Sequence, residues 1–185
     1  MALSSAAGCG LLGGEPPGQA DRNSRASSAP EGFTRVSPDG ISLAYPQGWK
    51  TVKDPAKGWA FTTKAVRDGK PYAQVSVLTD LPKTDDAAVA ANSALSFVRL
   101  ADGFERTGQR SLKIPGADGA YRIDYTYRAS SGKGKRAQPK VVQGTDIAVV
   151  DGNGQAVLVR ITRQKGQLDR SVVERIVTTI SITAQ

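Results

Sequence analysis

The 185-residue chain has no histidine and a single cysteine, Cys9. Those two shortages remove several chemistries at once. A disulfide within the chain is impossible, a Cys/His zinc site cannot be assembled, and Ser-His-Asp and Cys-His catalysis lack their base. Long apolar runs are missing too: apart from the Ala/Gly-rich residues 2–14, nothing approaches the ~20 residues a spanning helix requires. Aromatics make up 6% of the chain and include two tryptophans, so any aromatic cleft must draw on a short list. Carboxylates are outnumbered, 17 against 25 Lys and Arg, which leaves a net charge of +8. Such a surface favours anionic partners such as phospholipid heads or wall polymers. No nucleic-acid motif accompanies the charge, so nucleic acid is not an expected partner.

What is present begins at the amino end. Leu3-Ser4-Ser5-Ala6-Ala7-Gly8-Cys9-Gly10 sets small side chains directly before the lone cysteine. This resembles the tail of a bacterial lipoprotein signal peptide, whose peptidase must enclose an extended backbone. The usual leucine three places before the cysteine is Ala6 here, and only eight residues, none basic, precede Cys9. The charged segment and most of the apolar segment of such a peptide are therefore absent, as after a start codon placed too late or in a trimmed chain. The resemblance implies that Cys9 carries a diacylglyceryl thioether and heads the mature protein. Two or three acyl chains, at about 0.8 kcal/mol per buried methylene, hold a protein on a bilayer where one would exchange. Residues 1–9 are thus expected to be a signal-peptide remnant with its lipobox, residues 10–32 a flexible linker, and residues 33–185 one folded domain. The linker contains Gly13, Gly14, Pro16, Pro17, Gly18 and Pro30, with Leu11 and Leu12 as its only large apolar side chains. That is too little apolar surface to offset the entropy of ordering. A coil of this length spans about 25–30 Å, enough to lift a domain clear of lipid headgroups.

Asp-Gly pairs at 39–40, 68–69, 102–103, 118–119 and 151–152 punctuate the remainder, a common hairpin signal because glycine accepts positive φ. Tyr121 to Arg128 alternates strictly between apolar and polar residues, which predicts a strand with one buried and one wet face. Ile41 to Tyr45, Ala60 to Val66, Tyr72 to Leu78, Val141 to Val150 and Gln155 to Thr162 also read as strands. The last two flank Asp151-Gly152-Asn153-Gly154 as a hairpin. Ala87, Ala91, Ala94, Leu95 and Val98 recur with helical period behind Thr84 as an N-cap, with Asp85 and Asp86 in the first turn. Leu168, Val172, Val173, Ile176, Val177 and Ile180 form a second stripe, capped by Asp169 or Ser171. Antiparallel strands with two inserted helices predict an α+β sandwich, because both stripes need a sheet face to cover.

The run Ile41-Ser42-Leu43-Ala44-Tyr45-Pro46-Gln47-Gly48-Trp49 resembles the opening hairpin of PsbP-like domains, a group that includes bacterial lipoproteins of the LpqN type. Ala156 to Ile182 is similar to their closing hairpin and helix. The resemblance implies an α/β/α sandwich around a central antiparallel sheet with two helices, and a non-catalytic role in binding and assembly. It carries over no catalytic residues. The metal or photosystem docking of photosynthetic members is not implied.

Residue patterns that could carry chemistry mostly have plainer explanations. Asp85 and Asp86 point about 100° apart on a helix and suit its positive end; with Asp80 they make a weak cation set. Asp151-Gly152-Asn153-Gly154 opens like a calcium loop, but Thr162 stands where the closing glutamate belongs. Asp124, between Arg122 and Arg128, is expected to pair across strands. No metal site and no cofactor are expected. Two sets remain as contact candidates. Trp49, Trp59 and Tyr72 could meet a ligand or partner, although strand aromatics more often fill the core. Lys133, Lys135, Arg136 and Lys140 could meet an anionic surface, at about 1 kcal/mol per charge, although a solvated hairpin loop explains them as well. The resulting expectation is a monomeric lipoprotein on the outer face of the cell membrane, tethered through Cys9 and binding a protein partner or an envelope component without turnover. The rivals are a polyanion binder acting through loop 133–140 and, less favoured, a carboxylate-dependent enzyme.

Overall fold

A computed structural model describes residues 28–129 and 140–183. Cys9, Lys133, Lys135 and Arg136 lie outside the described residues, and Lys140 is an exposed strand start. The strands are β1 (Phe33–Val36), β2 (Ile41–Pro46), β3 (Lys50–Thr51), β4 (Trp59–Arg67), β5 (Lys70–Leu78), β6 (Glu105–Ser111), β7 (Gly119–Ala129), β8 (Lys140–Val150), β9 (Ala156–Gln164) and β10 (Ser181–Ile182). Helix α1 (Ala87–Ala94) lies between β5 and β6, and α2 (Arg170–Thr178) between β9 and β10.

Two antiparallel sheets result. The larger has the order β3-β4-β5-β9-β8-β7-β6 and the smaller β1-β2-β10. The turns follow from the Asp-Gly pairs: Asp68 and Gly69 both take positive φ between Arg67 and Lys70, a two-residue turn that only such residues enter cheaply. At Asp151 the carboxylate accepts the N–H groups of Asn153 and Gln155, which closes the β8–β9 hairpin. Asp118-Gly119 differs from expectation: the positive φ in that loop belongs to Gly116, and Gly119 already starts β7.

Both faces of the large sheet are covered, and period-two alternation divides its residues between two cores. Ile147, Val149, Val157 and Val159 face β1, β2 and α2, packing with Leu43, Tyr45, Val173 and Ile176. Ala148, Val150, Ala156 and Leu158 face the other way, against Ala87, Ala90, Ala91 and Leu95 at α1. The layer holding α2 also contains the small sheet, so both cover that face of the large sheet together. The wet face expected for β7 is wet only in part: Arg128 is exposed and Asp124 and Thr126 half-buried, but Arg122 is 2% exposed, because α2 lies across it.

Helix α1 is shorter than its stripe. Asp86 is the N-cap, accepting from Ala88 and Val89 N–H, while Thr84 accepts from Asp86 N–H one step earlier. After Ala94 the chain tightens into a 3₁₀ turn at Val98–Leu100. Asp169 caps α2 through Ser171 N–H. At the entry to the domain, the Arg35 guanidinium donates to Ser28 O and Ala29 packs on the core.

Candidate binding groove

Helix α2 has nine residues and is therefore about 13 Å long, at 1.5 Å per residue. Strand β8 beneath it has eleven, about 36 Å at 3.3 Å each. A helix that short cannot cover the face it lies on. The uncovered part is a groove of about 500 Å³ between β6, β7, β8, β9 and the start of α2. Register decides which side chains line it: Thr126 pairs with Gln143 and Gln143 with Arg163, while Asp124 pairs with Thr145. Gln109, Arg110, Arg122 and Arg170 complete the polar wall.

Its centre is the Arg122 guanidinium. Nε and Nη2 donate to the Asp124 carboxylate at 2.9–3.0 Å, and Nη1 and Nη2 donate to Glu174 of α2 at 2.7–2.8 Å. Asp124 also accepts from Thr145 Oγ1 at 2.6 Å. Burial disfavours the Arg122 charge, but the bonds it donates to Glu174 and Asp124 more than restore it, and its pKa lies above the ordinary value. Glu174 moves the other way. Its bond to Arg122 holds its carboxyl below the ordinary glutamate range. Arg110 at 3.7 Å and Arg170 at 3.6 Å share that same carboxylate. Arg163 belongs to none of these pairs. Among the described residues it donates to Gln143 Oε1 and Leu168 O, and partial burial and the nearby Arg170 lower its pKa.

The opposite face holds a second ionic cluster. Asp146, 0% exposed, accepts two bonds from Arg160 at 2.6 and 2.9 Å and one from Tyr125 Oη at 3.0 Å. Arg160 also donates to Ala94 O, at the negative end of α1. Burial drives the Asp146 carboxyl above the ordinary aspartate range, and the Arg160 bonds oppose the shift without cancelling it. The Tyr125 ring lies over Gly144, where a Cβ would overlap it.

The expected contact residues do not share one site. Trp49 packs against the core on the α2 side. Trp59 carries the Arg160 guanidinium 5.7 Å from its ring on the other. Tyr72 stands near the far end of the β4–β5 hairpin with Arg67 over its ring, lining a depression of about 170 Å³ with Tyr127 and Val142. Asp124 does pair across strands, with Thr145, in addition to Arg122 beside it. Asp86 is spent on its helix cap, and among the described residues no cluster of three or more His, Cys, Asp or Glu could hold a metal. Sequence reasoning missed Arg110, Arg163, Arg170 and Glu174. The available signal was the basic pair Arg160 and Arg163 in an otherwise apolar strand pattern.

The three-dimensional arrangement matches the solution structure of cyanobacterial PsbP from Synechocystis at TM-score 0.56, with 11% identity over 85% of this chain and 96% of that one. The fold is PsbP-like. The Ran-binding protein Mog1p of Saccharomyces cerevisiae shares this PsbP-like arrangement at TM-score 0.55, with 12% identity over 84% of this chain and 96% of that one. LpqN of Mycobacterium tuberculosis, described as involved in cell envelope biogenesis, is similar at TM-score 0.48 and 18% identity, over 82% of this chain and 91% of that one. Similarity at that level supports no functional argument. No protein-family model and no curated protein matches the chain.

Proposed function

We propose that the chain is a lipid-tethered, extracytoplasmic binding module that recognises a protein partner or envelope component through the groove beside α2 and performs no turnover. One observation carries this reading: the two carboxylates of the groove are both held by Arg122. A carboxylate enzyme of the acid-base kind needs one carboxyl that stays protonated near neutrality. Here Glu174 is shifted the opposite way. The raised carboxyl, Asp146, is fully buried on the other face. The PsbP-like fold serves binding in Mog1p, named for Ran, which supports the same class of role. No helix among the described residues is long and apolar enough to cross a membrane; the tether is proposed at Cys9 on the small-residue run that precedes it.

Two measurements test it. Expression from the natural upstream sequence with a palmitate analogue should label Cys9, and an unlabelled chain would refute the tether. Adding detergent-solubilised envelope extract to the isotopically labelled protein should shift the amides of Gly108, Gly144, Arg163 and Arg170. An unchanged spectrum would refute the groove. A second reading, contact with anionic polymer through loop 133–140, is favoured by the exposed Lys140 and by Lys165, whose N–H bonds Val141 O beside it. Binding through that loop should weaken steeply with salt.

A further inference from the structure

We infer that the groove beside α2 is a phosphate site, with Arg163 and Arg170 as the ligand's direct contacts and Arg122 as the buried cation that fixes Asp124 and Glu174 at its floor. The inference rests on the binding role proposed above and names the chemistry of its ligand. Four arginines, 110, 122, 163 and 170, surround the groove, whereas Asp124 and Glu174 are the carboxylates bonded to them. Two positive charges are left over, partly offset by Asp169 near Arg163, enough for one phosphate group as a singly charged diester or a doubly charged monoester. Arg122 cannot supply either contact, because each of its nitrogens is already bonded to a carboxylate and the residue is 2% exposed.

The surplus falls on Arg163 and Arg170. Arg163 donates through Nε and Nη1, and its Nη2 has no acceptor among the described residues. Arg170, with a side chain 73% exposed, reaches Glu174 only at 3.6 Å, a contact it shares with Arg110 and Arg122. A second hollow of about 580 Å³ also includes Gln143, Arg163 and Arg170 in its wall, so these residues stand between two openings and can be reached from both. Two guanidinium forks approaching from different elements suit a tetrahedral oxyanion. Burial first and the nearby Arg170 second disfavour the Arg163 charge, and an anion bound between the two guanidinium groups would offset both. Around them Thr107, Gln109, Thr126 and Gln143 offer hydroxyl and amide groups, which favours a polar, hydroxyl-bearing body on the phosphate over an apolar one.

The test is titration calorimetry of the full chain at fixed ionic strength with inorganic phosphate and with glycerol 3-phosphate, alongside co-sedimentation with phosphatidylglycerol vesicles. Saturable binding to at least one probe is expected. Arg163→Gln and Arg170→Gln should each weaken it about tenfold or more, the effect of losing a charged hydrogen bond. Lys50→Gln, an exposed cation on the far strand β3, should leave it unchanged. Should Arg163→Gln fail to fold, the exposed Arg170→Gln decides alone. Binding to vesicles only would assign the phosphate to a lipid headgroup; binding to glycerol 3-phosphate would assign it to a soluble or polymeric ester. No saturable binding to any probe, or equal weakening by Lys50→Gln, overturns the inference. If envelope extract shifts the groove amides and all three probes leave them still, the phosphate assignment fails and the binding role stands.

Discussion

Arg122 is buried because its charge is matched on two sides, and the consequence is measurable. Replacing it with methionine leaves Asp124 and Glu174 without their shared partner. Removing one member of a buried ion pair costs about 3–5 kcal/mol, and the partial exposure of both carboxylates, 23% and 37%, places this case near 3 kcal/mol by urea unfolding. Arg122→Lys should recover only part of the loss, because one ammonium cannot fork to two carboxylates. Gly144 offers a second test at this scale. A methyl there must displace the Tyr125 ring and with it the bond from Tyr125 Oη to Asp146. Gly144→Ala should therefore destabilise by about 2–4 kcal/mol, combining overpacking with a lost buried hydrogen bond. Tyr125→Phe keeps the ring in place and should cost about 1 kcal/mol. If both variants melted like the parent, the packing of that ring over Gly144 would be wrong.

Helix α2 is docked by Glu174 as well as by Val173 and Ile176. Because Arg122 depresses the Glu174 pKa, the folded state binds that proton less readily than the unfolded chain. Its stabilisation is fully present above the unfolded glutamate value of about 4.3 and is lost as pH falls below it through the folded pKa. Glu174→Gln should flatten that acid limb and leave the neutral-to-alkaline side of the profile parallel to the parent's. Asp86→Ala should cost α1 about 1 kcal/mol. The elements themselves were legible to different degrees. Strands β2, β4, β5, β7, β8 and β9 carry apolar or β-branched residues on a face that packs, so their period shows. Strand β6, Glu-Arg-Thr-Gly-Gln-Arg-Ser, is an exposed edge held by pairing with β7 and has no pattern to read. The groove was illegible for a related reason: Arg110, Arg122, Arg163 and Glu174 come from four elements, and the register and helix position that unite them are tertiary facts. Arg122 reads as a solvent-facing residue until α2 is laid across it.

One sheet serves two cores, and that governs how the whole molecule unfolds. Leu95 closes the core on the α1 side and Ile176 the core on the α2 side, each 0% exposed. Leu95→Ala and Ile176→Ala should each cost about 2–5 kcal/mol. The double variant should add them within about 0.5 kcal/mol, as for distant sites without shared partners. Both should shift a single transition, because neither core survives loss of the strands between them. Two separate transitions by circular dichroism would mean that the faces fold independently. The large sheet ends in β3, a two-residue strand, and in β6, whose Glu105, Arg106 and Arg110 are exposed. Rims this short, or this densely ionised, offer a neighbour no template for adding a strand. Under the proposed tether, copies crowded shoulder to shoulder on a bilayer would meet at high local concentration without these two rims joining them, and the large sheet would not seed fibres from either end.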